Sequence, residues 1–191
     1  MLWLVAVYAY GQLATYELVA NGEANFTATG VEAGTLVSGP GVQYTQANTG
    51  IGFSDNGATL KYWPEGGLEP TDYYEVWLAP TSGNTLTINA LRFGERRSNT
   101  GIGHYQVHAA WDSSFAAPTV LADVEVPNND EERTADIEGL ALSVPDGDTL
   151  FIRWYGYGAE NTSYGSWRIN DNTLQFEGMA CPVNPPLGMG Q

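Results

Sequence analysis

The sequence predicts an all-β fold, an antiparallel β-sandwich of the jelly-roll type, from three observations. Apolar and β-branched residues alternate with polar ones over short runs, and no longer stretch places apolar residues at i, i+3, i+4 and i+7. The runs are separated by clusters with turn chemistry: Ser38-Gly39-Pro40-Gly41, Asp55-Asn56-Gly57, Pro64-Glu65-Gly66-Gly67, Ser82-Gly83-Asn84, Pro127-Asn128-Asn129-Asp130 and Pro145-Asp146-Gly147-Asp148. Only 15% of residues are charged, against about 25% in an average soluble domain. Long helices, which need Glu and Lys on their exposed faces, are therefore not expected. With 191 residues, 43% of them apolar, the chain has material for one core, since single cores stop growing near about 250 residues.

Residues 1–10, Met-Leu-Trp-Leu-Val-Ala-Val-Tyr-Ala-Tyr, are uncharged and mostly apolar, but a spanning helix needs about 20, so no membrane span is expected. Two readings of this segment stand. It is an export signal without its basic leader, cut near residues 9–12, or a retained strand over residues 4–10. In the second case Leu4, Val5, Val7, Tyr8 and Tyr10 pair with the domain's own sheet or with a neighbouring molecule. Segment 1–12 is therefore set apart from a domain expected over 13–178. Strands are expected within it at 16–20, 35–37, 42–46, 59–62, 73–78, 85–92, 104–111, 120–126, 133–137, 149–155, 166–169 and 173–177, with room for a helical turn only at 130–139. Residues 179–191, rich in Pro and Gly, read as a tail or linker.

Parity within these strands sorts the faces. Tyr105, Val107, Ala109 and Trp111 fall on one side, expected to be core, and His104, Gln106 and His108 on the other. Leu150, Ile152 and Trp154 face in, leaving Phe151, Arg153, Tyr155 and Tyr157 outward. Tyr74, Val76 and Leu78 oppose Tyr73, Glu75 and Trp77.

Together with 73–78, the segments Ser82-Gly83-Asn84-Thr85-Leu86-Thr87-Ile88, Arg96-Arg97-Ser98-Asn99-Thr100-Gly101, Tyr105-Gln106-Val107 and Trp111-Asp112-Ser113-Ser114-Phe115 form a familiar pattern. With Phe151-Ile152-Arg153-Trp154-Tyr155-Gly156-Tyr157-Gly158 and Ser166-Trp167-Arg168-Ile169-Asn170-Asp171-Asn172 it resembles the secreted jelly-roll modules of bacterial surface proteins. The resemblance implies an architecture like that of lectin and carbohydrate-binding sandwiches and an extracellular or cell-surface location in bacteria. It transfers no catalytic residue.

Composition narrows the partners. The 22 acidic and 7 basic residues give a net charge of -15, which works against nucleic acid and against anionic lipid. Arg92, Arg96 and Arg97 are expected to pair with nearby acids or to meet a second subunit. Cys181 stands alone, so no intrachain disulfide forms. Asp146 and Asp148 in one turn and Asp171 in another offer the oxygen ligands that Ca²⁺ takes, and the same side chains cap turns without a metal. No other cofactor is expected. His104 and His108 lie about 14 Å apart along a strand, too far to share an ion.

No nucleophile, phosphate-loop or zinc-protease motif occurs, so an enzyme is not expected. Flat rings stack on sugars and anchor protein interfaces, which makes Trp63, Tyr73, Trp77, Arg153, Tyr155 and Tyr157 the expected contact residues, with Tyr164 beside them. The expectation is a non-catalytic sandwich acting by association: a surface, matrix or fibre subunit, a homo-oligomer or polymer assembled by strand addition through residues 4–10. The alternative is a carbohydrate-binding module that holds a polysaccharide on its outward aromatics, with a structural calcium.

Overall fold

Alternation along the strands sorts the chain into two layers in the computed structural model, which describes residues 10–45 and 50–183. In chain order the strands are β1 (Gly11–Tyr16), β2 (Phe26–Thr27), β3 (Val31–Ala33), β4 (Val37–Ser38), β5 (Gly52–Ser54), β6 (Gly57–Lys61) and β7 (Tyr73–Pro80). They continue as β8 (Asn84–Arg97), β9 (His104–Ala110), β10 (Thr119–Glu125), β11 (Arg133–Val144), β12 (Leu150–Tyr157), β13 (Ser166–Asn170) and β14 (Leu174–Pro182). All their pairings are antiparallel, and no helix occurs among the described residues. The fold is an all-β jelly-roll sandwich.

Sheet I holds eight strands and sheet II six. In sheet I, β8 pairs along one edge with β11 and along the other with β14 over Asn84–Arg92, then with β13 at Glu95–Arg97. β13 and β14 thus run end to end as one interrupted strand. Beyond them β13 holds β6, which holds β5, while β14 holds β1, which holds β2. Sheet II runs β10, β9, β12, β7, with β3 and β4 sharing the outer edge of β7. The Asp55-Asn56-Gly57 turn needs its glycine: φ is +113° and a Cβ there would stand 2.2 Å from the Ile169 carbonyl oxygen.

The core between the layers is a relay of aromatic rings. Trp63 meets Trp167 edge-on with centroids 5.4 Å apart, Trp167 stacks on Tyr105 at 5.1 Å, and Phe93 bridges Tyr105 and Trp154 at 5.9 Å each. The polar ends of the buried rings find partners: Tyr16 donates to the Gly34 carbonyl at 2.8 Å and Tyr74 to the Trp167 carbonyl at 2.8 Å. Burial pushes the pKa of both hydroxyls up. Two ion pairs reach this layer. Glu95, 2% exposed, accepts from Arg133 and from the Trp167 indole at 2.9 Å, while Arg97, equally buried, donates to the Ser98 and Asn99 carbonyls and pairs with Glu160 at 3.2 Å.

Several sequence expectations are corrected. β8 runs on to Arg97 because Glu95 and Arg97 point inward and find hydrogen-bond and ion-pair partners there, where charge suggests a strand end at Arg92. β11 is a full strand of 12 residues, so 130–139 holds no helical turn. Residues 42–45 form no extended strand; Gln43 makes an isolated bridge to Lys61. Trp111 lies just past β9, 43% exposed, its indole donating to the Ser143 carbonyl, and is not core. The boundaries shift too: Gly11 and Gln12 pair with Gly178 and Glu177, and Met179–Pro182 stay in the sheet opposite Thr87–Asn84. The strand continues because β8 still has free edge groups for it to satisfy.

Candidate functional site

The outer face of sheet II gathers five of the six expected contact residues. The register places Glu125, His104 and Tyr157 in one cross-strand row, Asp123, Gln106, Tyr155 and Tyr73 in the next, then His108, Arg153, Glu75 and Val37, then Ala110, Phe151 and Trp77. Trp63 is the exception. It is fully buried, donates its indole N–H to the Leu60 carbonyl at 3.1 Å and belongs to the core relay, because it follows β6 on the inner side of the Pro64 turn.

The middle of this face is closed. Arg153 lies between the rings of Tyr73 and Phe115, 3.9 Å from each centroid, an arrangement that favours a cation over both faces. Its Nε donates to Glu75 at 2.6 Å, Nη1 to the Tyr155 hydroxyl at 3.3 Å and Nη2 to the Ser113 carbonyl at 3.1 Å. Phe115 comes from the loop between β9 and β10 and sits at φ +54°, a conformation that costs a non-glycine residue about 1–3 kcal/mol. Asp112 anchors the loop by accepting from the Ser114 N–H at 3.0 Å, and the Ser114 hydroxyl on its carboxylate holds its pKa down. Arg153 is thus a clamp that holds a loop, and Tyr155, 4% exposed beneath it, is a packing residue whose hydroxyl burial keeps protonated.

Two ends of the face stay open. At one, Tyr157 stacks on His104 with centroids 5.3 Å apart, its hydroxyl 3.5 Å from Asp123. Beside it the His108 ring meets Gln106, which in turn donates to Asp123 at 3.1 Å. At the other end Trp77 rests on the backbone of Gly34; a Cβ on Gly34 would stand 2.1 Å from the indole nitrogen, so only glycine lets the ring lie there. Trp77 also walls a groove of about 540 Å³ whose other sides carry Glu23, Thr27, Glu32 and Thr35. Alternation in β7 points to Trp77; the acids and hydroxyls facing it come from loops and short strands with no such signal. Tyr164 is 77% exposed in the loop before β13.

The proposed oxygen ligands do not converge. Asp146, between β11 and β12, accepts from the Gly83 N–H at 3.0 Å, whereas Asp171 follows β13 at the opposite end of β8. Asp148 shares the Asp146 turn, where its N–H donates to the Pro145 carbonyl at 3.1 Å. Among the described residues no three His, Cys, Asp or Glu side chains form a metal-holding group. Arg92 pairs with Glu138 on its own sheet at 2.7 Å, and Arg96 with Asp130 in the loop before β11 at 3.2 Å. Leu4, Val5, Val7 and Tyr8 lie outside the described residues; Tyr10, 55% exposed, immediately precedes β1. No helix among the described residues is long and apolar enough to cross a membrane.

No family model matches the chain, and no curated protein matches it. Among solved structures it is similar to a family 29 carbohydrate-binding module, with 15% identity, a TM-score of 0.46 and 88% of each chain covered. It is also similar to a family 32 carbohydrate-binding module of C. perfringens NanJ in complex with galactose, at 12% identity and TM-score 0.39, over 76% of this chain and 93% of that one. A third likeness is to Xylanase10C from Cellvibrio japonicus in complex with xylopentaose, at 12% identity and TM-score 0.45; it covers 82% of this chain but only 27% of the xylanase chain. Likenesses this remote leave the function to be read from the chain's own geometry.

Proposed function

We propose that this domain is a non-catalytic polysaccharide-binding module that works outside the cell and holds its ligand at the Trp77 end of sheet II. The observation that carries the reading is the groove of about 540 Å³ in which an indole faces carboxylates and hydroxyls. A sugar ring offers an apolar face and an equatorial fringe of hydroxyls. Trp77 supplies the stacking surface for the first, and Glu23, Glu32, Thr27 and Thr35 supply acceptors and donors for the second. Phe151, directly opposite Trp77 on β12, extends the apolar strip along the face. The net charge of -15 favours a neutral glycan over an acidic one. Assembly by strand addition through residues 4–10 finds no support among the described residues.

The test is binding to insoluble cellulose, xylan and mannan by pull-down, followed by calorimetry on soluble oligosaccharides. Trp77→Ala should abolish retention while the variant still unfolds in one cooperative transition. Gly34→Ala, which displaces the indole without removing it, should weaken retention as well. Silence across the panel, or binding indifferent to Trp77→Ala, would overturn the reading.

A further inference from the structure

The outward positions of sheet I hold two arginines side by side. Trp167 and Ile169 on β13 and Glu95 and Arg97 on β8 face the core, so Arg168 and Arg96 lie on the outer face. The register sets these two directly opposite each other, with Thr59 of β6 next in the row. Opposed residues on one face have Cβ atoms about 4.5–5.5 Å apart, and like charges there repel. In a chain with 22 acidic and 7 basic residues, scarce positive charge is thus placed where it opposes itself.

A pocket of about 290 Å³ opens over this pair, walled by Thr59, Arg96, Ser98, Asn99, Ser166 and Arg168, and by Asp130 from the loop before β11. Each guanidinium is only partly engaged. Arg96 donates through Nη2 to Asp130 at 3.2 Å; Arg168 donates through Nε to Asn170 at 3.1 Å and through Nη2 to Glu132 at 3.0 Å. Arg96 Nε and both Nη1 groups make no hydrogen bond among the described residues, and none of them is a buried orphan, so they open to solvent. The acids are loosely placed, Asp130 57% and Glu132 63% exposed, and pairs of that kind contribute little and break easily. Ser98 Oγ accepts from the Ser166 N–H at 2.9 Å, which leaves its own proton to donate.

The open groups select the ligand. They are N–H and O–H donors, and the one carboxylate among the walls, Asp130, is already held by Arg96. A ligand that is negative and only accepts hydrogen bonds meets them all; a cation faces two guanidiniums, and a neutral hydroxyl leaves their charge unanswered. The planar fork of an arginine matches the paired oxygens of a carboxylate or a sulfate. We propose that this pocket binds an oxyanionic group, a carboxylate or a sulfate, between Arg96 and Arg168 and in competition with Asp130 and Glu132. Its volume of about 290 Å³ stands at the small end of ligand sites, the size for a lone anion or one acidic sugar unit. The pocket lies on the opposite sheet from the Trp77 groove, whose Glu23 and Glu32 disfavour anions, and it does not rest on that reading.

The experiment titrates the full chain with sodium sulfate and with glucuronate at constant low ionic strength, and follows the Arg96 and Arg168 Nε–H signals by heteronuclear NMR. A saturable shift of both signals is expected with at least one anion, sulfate alone marking a sulfate site and glucuronate alone a carboxylate site; glucose should leave both signals in place. Arg96→Gln should weaken binding at least about ten-fold, the loss of one charge-assisted contact. Asp130→Asn and Glu132→Gln should each tighten it about two- to five-fold, the strength of an exposed ion pair, a gain that misfolding cannot imitate. Glu125→Gln, which removes the same charge from the outer face of the other sheet, should change nothing. Trp77→Ala should bind the anion as wild type does, so the two sites fail separately. The proposal is overturned if neither anion shifts the signals saturably, if glucose shifts them as much, if Arg96→Gln leaves the affinity unchanged, if neither acid variant tightens binding, or if Glu125→Gln tightens it equally.

Discussion

The buried Glu95 carboxylate should govern the stability of sheet I, and Glu95→Gln tests this. The side chain is 3% exposed and takes Arg133, 21% exposed, and the Trp167 indole. Removing one partner of a buried ion pair costs about 3–5 kcal/mol, chiefly because the other charge is left desolvated. The substituted amide would still accept from the indole, and Arg133 would keep Asn129 at 2.8 Å together with some water, so the loss should be smaller, about 2–3 kcal/mol. Glu95→Ala also strands the Trp167 N–H and should cost about 3–5 kcal/mol. The partners act as a unit, so Glu95→Gln combined with Arg133→Met should be more stable than Glu95→Gln alone. Equilibrium urea unfolding at neutral pH, with the denaturant slope unchanged between variants, reads these differences. A cost below about 0.5 kcal/mol for Glu95→Gln, or strict additivity in the double variant, would show that the buried charge is not what holds β8 to β11.

Two further outcomes concern groups described above. Burial lowers the pKa of His108, with Asp123 partly opposing the effect, so the unfolded chain takes up this proton first, near its ordinary value of about 6.5. Wild type should therefore lose stability relative to His108→Gln as the pH falls below about 6.5 and hold a constant difference above it; a difference level across that range in thermal melts would refute the burial argument. Asp146 acts through the Gly83 N–H, so Asp146→Ala should destabilise by about 0.5–1.5 kcal/mol, while chelator should leave the melting temperature where it was. A marked drop with chelator would instead make the aspartate a metal ligand.

Strand positions are legible in the sequence wherever one face is buried and the other wet. β7, β9 and β12 alternate cleanly because each lies mid-sheet with a ring-lined core on one side, and their outward aromatics follow from parity alone. Charge misleads at the end of β8, since inward Glu95 and Arg97 look like surface residues until Arg133 and Glu160, distant in sequence, are placed against them. Trp63 escapes the parity argument because a lone indole after a strand has no alternation to set its side. The Arg153 clamp has no local signature, because it needs a loop to fold back over β12.

The position of β14 bears on how the chain must come together. It lies between β8 and β1 in space yet follows every other described strand in sequence, so Gly11 meets Gly178 only after nearly the whole domain exists. During synthesis Leu13, Ala14 and Tyr16 have no sheet to join. Sheet I therefore closes in a late, non-local step, the kind that sets slow folding in β-rich proteins. A nascent chain stopped before Leu174 would not be a shortened sandwich, because β1 and β2 would be parted from β8 and β11 with nothing between them.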